Sequence, residues 1–589
     1  MSAAERIFAP ILLALFVGYT GVTLIFGDFR AMSDAPLGEV ILRERLWHAW
    51  FCVRQFDEAW RSFGLLQAMK LVFFWGGAFI SYGNIADFWL LAYPLAHLFS
   101  FPLSFNAQTP LVLMANALAA YFVALQVSRT RISALLAGVA FGLNPWALYL
   151  LQRGSVREAL MAFALLFAGA LWKVCQGRPR ALEVVAMGFW LAASAVFYWF
   201  YGLYCLLLLA VVCLWTLLRG ERFPWRPVFV ALLLCINFVL PFLPPALQIV
   251  KSQTHVAGTY GQMPPSPAEI ARYDRGAFAF PRFLTDDSMV VDYLWRGARV
   301  GGQPVVLLML AACAAVLCRR AAGFWVLTLV TFYLMSLGNH VKLASGFYPS
   351  AEDAWPAPYM LVQAYLPMFS HQHHPDRAAL LAVGALAVLA GMGAQALGQR
   401  VGKLGAPLVG VLAAEIFLCV LFAQARPGQL PDWEIPPVYR MLAAENSGCL
   451  IELPFTRATL QPGHEAFLED RPRIYQIIHG RTMITGLEAS SDPFYQWLDA
   501  FSRGSLDEGA PDPGGLRAMG LRWVILHEVL CAPPGRAPQK RYEHMRGSLR
   551  KVLGVAPREY REISTLLSRP REESRGYFRV AVFELPSGR

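Results

Sequence analysis

A cluster of histidine, aspartate and arginine side chains stands at the start of a long apolar run, in "FSHQHHPDRAALLAVGALAVLAG" at 369–391. Three histidines in four positions of a turn give no pair spaced four apart on a helix, so the pattern does not predict zinc. Pro375 suits a first helical turn, whose free N–H groups would form an anion site together with Arg377 and His374. The alternative is structural, with Arg377 paired to Asp376 and the histidines in solvent.

Two other polar segments place basic groups beside apolar runs. The turn "LQRGSVREAL" carries Arg153, with Arg157 and Glu158 close behind, and His340 with Lys342 opens the segment 338–377. These groups predict phosphate binding, because the planar guanidinium fork of arginine matches phosphate oxygens. For the turn, the alternatives are pairing with Glu158 or extension toward lipid headgroups.

An acidic residue follows the first apolar run directly. Asp28 stands at its end, and Asp34 comes six residues later. A carboxylate in a cleft beside the bilayer can accept a proton from an acceptor hydroxyl while a lipid-borne substrate arrives from the membrane. The alternative for Asp28 is a solvated helix end.

Metal and cofactor motifs are weak in this sequence. Asp286 and Asp287 are adjacent acids that can hold a divalent ion, but no third ligand accompanies them. We therefore expect no metal centre and no cofactor. Glu415 is an acid inside an apolar run, and we expect it to face the interior of a helical bundle.

The composition is that of a membrane protein. Apolar residues make up 56% and charged residues 15% of 589 residues, outside the range of soluble domains. The formal net charge of +11 raises the possibility of a nucleic-acid partner. The basic residues, however, lie in the short connections between apolar runs, as in proteins whose charges set their membrane topology. This distribution excludes a nucleic-acid-binding protein.

About 20 apolar residues are needed to cross a bilayer as a helix. Eleven windows approach this length: 8–27, 109–127, 132–150, 157–173, 182–198, 200–218, 228–250, 303–318, 322–337, 378–397 and 405–424. With eleven spans, the basic residues of the short connections fall on one side, which predicts a cytoplasmic N-terminus and an extracytoplasmic C-terminus. The long loops 28–108, 251–302 and 338–377 then face outward.

A second domain is predicted at 428–589, after a membrane domain at 1–427. Strand-like runs at 449–455, 481–487, 521–528 and 577–585 alternate with helical patterns, which predicts a small extracytoplasmic α/β domain. It has no nucleophile elbow, P-loop or dinucleotide fingerprint. Cys449 and Cys531 lie in this region, and the sequence leaves open whether they pair.

Several stretches resemble the GT-C class of membrane glycosyltransferases. They are "FGD" at 26–28, "YPLAHLFSFPLSF" at 93–105, "LPMFSHQHHPDRAALLAVGALAVLAGMGA" at 366–394, "PPVYRMLAAENSGCLIELPF" and "HGRTMITG". The resemblance implies inverting sugar transfer from a polyprenyl-phosphate donor on the outer face, with an Asp or Glu of the first outer loop as base. It makes Asp28 the first candidate base, Asp34 the second, and Arg153, His374 and Arg377 donor-phosphate contacts. The first loop lacks the Asp-x-Asp of metal-dependent members.

The sequence therefore predicts a GT-C-like polytopic helical glycosyltransferase of a bacterial inner membrane that transfers a hexosyl or pentosyl group. Its expected partners are the bilayer, a polyprenyl-phosphate sugar donor and a glycan, lipid or protein acceptor of the cell envelope. The alternative is a non-enzymatic transporter or assembly factor for lipid-linked polysaccharide. Transporters often have interrupted spans in matched positions, and the prolines of the window 228–250 have no counterpart. Because the long loops and the second domain are all predicted outside, we favour the enzyme.

Overall fold

The structure is a computed structural model. It describes residues 3–27, 29–34, 53–54, 56–62, 64–65, 68, 91–152, 154–177, 179–240, 305–336, 358–365, 375–402, 410, 437–444, 449–453, 521–528, 539–564 and 576–585. The chain divides into two compact units, whose described residues lie at 3–410 and 437–585.

The regular elements of the first unit, among its described residues, are all helices. Its helices include α1 (Ala3–Phe26), α2 (Ala31–Asp34), α3 (Tyr93–Leu98), α4 (Leu103–Asn106), α5 (Gln108–Ser128), α6 (Arg131–Gly142), α7 (Pro145–Gln152), α8 (Val156–Ala159), α9 (Ala162–Cys175), α10 (Ala181–Phe197), α11 (Trp199–Leu218), α12 (Trp225–Val239), α13 (Val305–Leu317), α14 (Arg319–Ser336), α15 (Pro358–Tyr365) and α16 (Ala379–Val401). A 3-10 turn, Pro375–Ala378, leads into α16.

The helical unit belongs to a multi-pass membrane protein. Within the described residues, six helical segments are long and apolar enough to cross a bilayer, and three shorter apolar helices accompany them. Each of the first ten windows predicted from the sequence contains a helix. The eleventh, 405–424, lies outside the described residues apart from residue 410, as does Glu415.

Helix α16 forms the centre of this unit. All its residues from Ala379 to Ala394 are buried, as expected for a helix that is apolar on every face. It packs against α5, α6, α9, α13 and α14. Helices that are already in lipid gain little free energy from apolar contacts with one another. Close packing of their backbones must therefore stabilise the position of α16.

Small residues allow this close packing. A Cβ atom on Gly393 would stand 1.9 Å from the carbonyl oxygen of Leu310 in α13, and one on Gly391 would stand 2.7 Å from that of Ser133 in α6. Neither position has room for a side chain, so glycine is required for α16 to approach these two backbones.

One end of the unit collects the ends of several helices. Three pairs of close approach show this: Gly21–Leu113, Gly142–Val17 and Gly384–Phe141. They join the second half of α1 to the early part of α5 and to the end of α6, and the early part of α16 to the end of α6. We name this the site end: the end of the unit that contains Phe26, Gln108, Gly142 and Arg377. The sequence predicts that it faces outward.

The sequence predicted one uninterrupted span at 132–150. In the structure this span breaks near the site end, between α6 and α7. Asn144 accepts a hydrogen bond from the Ala147 N–H at Oδ1 (2.8 Å) and donates from Nδ2 to the Phe141 carbonyl. Asparagine before proline is a strong helix-start signal, because asparagine caps the free N–H groups and Pro145 needs no donor. The break is therefore encoded locally by "NP".

The second unit contains a four-stranded mixed sheet among its described residues. Its strands are β1 (Cys449–Leu453), β2 (Leu521–His527), β3 (Arg558–Ser564) and β4 (Gly576–Glu584), in the order β1-β2-β4-β3. The first two are parallel, and β4 is antiparallel to both neighbours. Its helices are α17 (Pro437–Ala444) and α18 (Gln539–Leu553).

Among the described residues, one helix packs on each face of this sheet. Tyr439 and Leu442 of α17 pack on one face with Trp523, and Met545 and Leu549 of α18 pack on the other. Strand β3 was not among the predicted strands, while the predicted strand 481–487 lies outside the described residues.

A buried carboxylate closes the end of β2 in the second unit. Glu528 accepts hydrogen bonds from the backbone N–H (2.7 Å), Nε (3.2 Å) and Nη2 (3.0 Å) of Arg579. The same guanidinium pairs with Glu543, and its hydrogen bond and charge lower the pKa of that carboxyl. This network links β2, β4 and α18.

We predict that Gly393→Ala destabilises the protein by about 1–3 kcal/mol, because the added methyl overlaps the Leu310 carbonyl and forces α13 away from α16. The matched control is Gly323→Ala in α14, where no heavy atom lies within 4 Å of the added carbon. That control should leave stability unchanged or raise it by up to about 1 kcal/mol through helix propensity. Thermal unfolding in one detergent measures both, and equal melting temperatures would contradict the packing argument.

Candidate functional site

A buried ion pair lies at the site end. Nη2 of Arg377 stands 3.2 Å from Oε1 of Glu158, and the side chains are 12% and 2% exposed. Arg377 lies in the 3-10 turn before α16, and Glu158 lies in the single-turn helix α8. Removing both charges from water is expensive, and the attraction between the two opposite charges offsets part of that cost.

Two tyrosines complete this group. The Arg377 guanidinium carbon lies 5.1 Å from the centre of the Tyr198 ring, a cation–π distance. The Tyr201 ring lies 4.8 Å from that of Tyr198, and its hydroxyl donates to the Glu158 carbonyl oxygen. We name Glu158, Tyr198, Tyr201 and Arg377 the Arg377 cluster.

The hydroxyl of Tyr198 stands out within the cluster. The residue is 7% exposed, and its buried oxygen has no hydrogen-bond partner among the described residues. A buried hydroxyl without a partner costs about 1–3 kcal/mol. Buried polar groups of native proteins are nearly all hydrogen-bonded, and binding of a ligand is one explanation for an exception.

The break between α10 and α11 positions both tyrosines. Tyr198 has extended backbone angles (φ −153°, ψ 101°), which end α10 and start α11 in a new direction. The sequence there, "FYWFYGLY", is a run of aromatic residues in an apolar window. Its tyrosine hydroxyls were a signal of polar chemistry that the span prediction overlooked.

Asn116 holds the Glu158 segment in place. Its Nδ2 donates to the carbonyl of Ala159 (2.7 Å), and its Oδ1 accepts from the N–H of Met161 (2.9 Å). These bonds satisfy backbone groups freed by the break between α8 and α9, which apolar surroundings would leave unpaired. A buried asparagine in the middle of a span was the sequence signal for this support.

The first-loop acids follow α1 at the same end. Gly27 (φ +83°) ends α1, and α2 begins four residues later. Nδ2 of Asn106 donates to the Met32 carbonyl (2.8 Å), which fastens α2 to the end of α4. Asp34 is the last residue of α2, although its side chain is not described, and Asp28 lies outside the described residues.

The predicted site residues are therefore described unevenly. Arg377 lies in the cluster and is paired with Glu158, which the sequence had offered only as a partner for the neighbouring arginines. Arg153, His340, Lys342 and His374 lie outside the described residues, so their phosphate contacts stay predictions.

Metal-ligating side chains do not gather in the described part of the chain. There, no group of three His, Cys, Asp or Glu side chains is close enough to hold an ion. Asp286 and Asp287 lie outside it, as do Cys531 and the histidines of 371–374. In the described site, the positive charge is the guanidinium of Arg377, a group that suits an anionic ligand.

We predict that Glu158→Gln lowers the free energy of unfolding by about 3–5 kcal/mol, because it removes the carboxylate charge that pairs with the buried Arg377 guanidinium. Arg377→Gln should cost a similar amount. The double variant should lose less than the sum of the two, since no unpaired charge remains. Denaturant titration of the four proteins completes the cycle, and strictly additive losses would show that the two groups are not coupled.

Comparisons with known proteins give matches in structure alone. No protein-family model matches this chain, and no curated protein matches it significantly. The arabinofuranosyltransferase AftD from Mycobacteria superposes with a TM-score of 0.51 at 13% identity, over 100% of this chain and 40% of that chain.

Two further solved structures align over most of this chain. ArnT from Cupriavidus metallidurans bound to undecaprenyl phosphate gives a TM-score of 0.49 at 11% identity, over 99% of this chain and 98% of that one. The archaeal oligosaccharyltransferase AglB from Archaeoglobus fulgidus, in complex with an inhibitory peptide and a dolichol-phosphate, gives 0.47 at 9%, over 96% and 74%. The chain has the fold of the GT-C class of membrane glycosyltransferases, the class that its sequence resembles.

Proposed function

We propose that this chain is a membrane glycosyltransferase that transfers a sugar from a polyprenyl-phosphate donor to an acceptor outside the cytoplasm. The observation that carries the proposal is the Arg377 cluster, a guanidinium held in the interior at the end where the first-loop acids follow α1. AftD, whose fold this chain shares, is an arabinofuranosyltransferase. Fold alone does not give activity, so the argument rests on the site.

The cluster supplies a place for the donor phosphate. Glu158 and the Tyr198 ring fix the orientation of the Arg377 guanidinium. A fixed cation at the departing phosphate stabilises the charge that develops there, without reorganisation during reaction. We assign the phosphate contacts to Arg377 and the Tyr198 hydroxyl, with Arg153, His340, Lys342 and His374 as further contacts.

Transfer then proceeds as one displacement. A first-loop carboxylate, Asp28 or Asp34, takes the proton of the acceptor hydroxyl, and the oxygen attacks the anomeric carbon. The bond from that carbon to the phosphate oxygen breaks, and the electron pair leaves on the phosphate. Attack opposite the leaving group inverts the anomeric centre.

The surroundings supply the lipid and the acceptor. Apolar side chains on α1, such as Ile7, Phe8 and Leu15, are exposed, as expected for a bilayer-facing helix that a polyprenyl chain can approach. We place the protein in a bacterial inner membrane with its N-terminus cytoplasmic. The domain 428–589 then lies outside and contributes to acceptor recognition.

The base assignment is tested by Asp28→Asn and Asp34→Asn, each in the full-length protein. One of them should retain donor binding and lose transfer by about 10²–10⁴-fold, since general-base catalysis contributes that much. Binding of a polyprenyl-phosphate sugar and its turnover are measured separately. The control is Glu221→Gln, a carboxylate 55% exposed and paired with Arg219 in the α11–α12 connection.

Normal transfer by both aspartate variants would show that neither residue is the base. Donor binding without any transfer by the unaltered protein would favour the alternative, a transporter or assembly factor for lipid-linked polysaccharide.

Tyr198→Phe tests the phosphate assignment. The free protein should be as stable or slightly more stable, because the change removes a buried hydroxyl without a partner in the described structure. Donor affinity should fall about 10–100-fold, the equivalent of a hydrogen bond to a charged group. Thermal unfolding and equilibrium binding of a polyprenyl-phosphate sugar measure the two effects. Unchanged affinity would remove Tyr198 from the phosphate site.

A further inference from the structure

A second polar cluster lies in the first outer loop, apart from the Arg377 cluster. Oδ1 of Asp57 accepts a hydrogen bond from the Tyr93 hydroxyl (2.9 Å) and lies 3.4 Å from Nε2 of His97. The side chains of Asp57 and His97 are 22% and 47% exposed. Among the described residues, the second carboxylate oxygen, Oδ2, has no polar contact.

Aromatic rings extend from this carboxylate in a row. The His97 ring lies 4.4 Å from that of Tyr93, the Tyr93 ring 5.3 Å from Phe56, and the Phe56 ring 5.7 Å from Trp60. Trp60 is 43% exposed and stands three residues after Asp57 in the helical stretch 56–62, on the same face. An exposed ring thus accompanies an exposed carboxylate.

The charges around Asp57 cancel. The stretch 53–62 contains two acidic and two basic residues, and Arg54 pairs with Glu58 at 3.0 Å. Burial, together with the bond to Asp57, raises the pKa of Tyr93 to about 12, so its hydroxyl stays a donor at neutral pH. A site without net charge does not select an ion. It suits a neutral ligand that offers hydroxyl groups and an apolar ring face.

The cluster is joined to the predicted base. Helix α3, which carries Tyr93 and His97, contacts α4, and α4 holds α2 through the bond from Asn106 to Met32. Asp34 ends α2. A sugar bound at Asp57 is therefore placed on the same assembly of short helices as a candidate base.

We propose that Asp57, His97 and Trp60 form a binding site for the carbohydrate of the acceptor. Oδ2 of Asp57 and the imidazole bind two hydroxyl groups, and Trp60 covers one face of the sugar ring. This inference rests on the proposed function, because it is that function which makes the bound sugar an acceptor. The donor phosphate binds elsewhere, at the Arg377 cluster.

The test is saturation-transfer NMR with the full-length protein in nanodiscs and no donor present. The probes are methyl glycosides of glucose, galactose, mannose and arabinofuranose, with protein-free nanodiscs as blank. At least one glycoside should receive saturation from the unaltered protein, and Asp57→Asn should reduce the signal at least fivefold. Glu58→Gln, one residue along the helix and in a separate exposed pair, should leave it unchanged.

His97→Gln guards against a folding effect of the aspartate change. It leaves the bond between Tyr93 and Asp57 in place, so a fivefold loss in this variant reports the ligand contact itself. The proposal is overturned if no glycoside exceeds the blank, or if both variants bind as the unaltered protein does. Glycoside binding that depends on Asp57 in a protein that never turns over donor would leave the sugar site standing and overturn the proposed function alone.

Discussion

An arginine charge inside a helical membrane unit must be matched, and the pairing of Arg377 with Glu158 is the match on which the site end depends. The cost of desolvating either group alone exceeds what local packing can return. The pair therefore fixes α8 against the turn that starts α16, and α16 is the helix around which the unit packs. This one contact serves both function and architecture: Arg377, which we propose to hold the donor phosphate, also helps to orient the central helix α16.

Breaks in the helices are needed to build this contact, and each break frees backbone groups that the membrane cannot satisfy. Asn144 and Asn116 supply hydrogen-bond partners at the α6–α7 and α8–α9 breaks. Close packing of glycines on α16 then replaces the hydrophobic driving force that is absent between helices in lipid. The interior thus combines tight apolar contacts with a few fully bonded amides, concentrated at the end where chemistry is proposed.

The two proposed subsites differ in charge, as do the ligands that we assign to them. At the Arg377 cluster, a fixed cation and a phenol without a hydrogen-bond partner among the described residues suit a phosphate. At Asp57, a carboxylate, an imidazole and an exposed indole suit an uncharged sugar. In the proposed scheme, the anionic donor does not compete for the acceptor position, because the cation that would bind its phosphate lies at the other subsite. In this scheme the Asp57 subsite presents the acceptor hydroxyl and the Arg377 cluster presents the anomeric carbon of the donor. A first-loop carboxylate removes the proton of that hydroxyl.

The apolar windows were readable from sequence because a helix of about 20 apolar residues is the simplest solution for crossing a bilayer. Strands β1, β2 and β4 were readable from their apolar runs, whereas β3, "REYREIS", is a charged strand at the sheet edge and carries little such signal. Arg377 and the first-loop acids were proposed from their residue types and their positions beside apolar runs, and the role of the acids stays a prediction. Only the tertiary structure decided that Arg377 pairs with Glu158 and that Asp57 meets His97, since contacts between distant segments follow from packing and leave no local pattern in the chain.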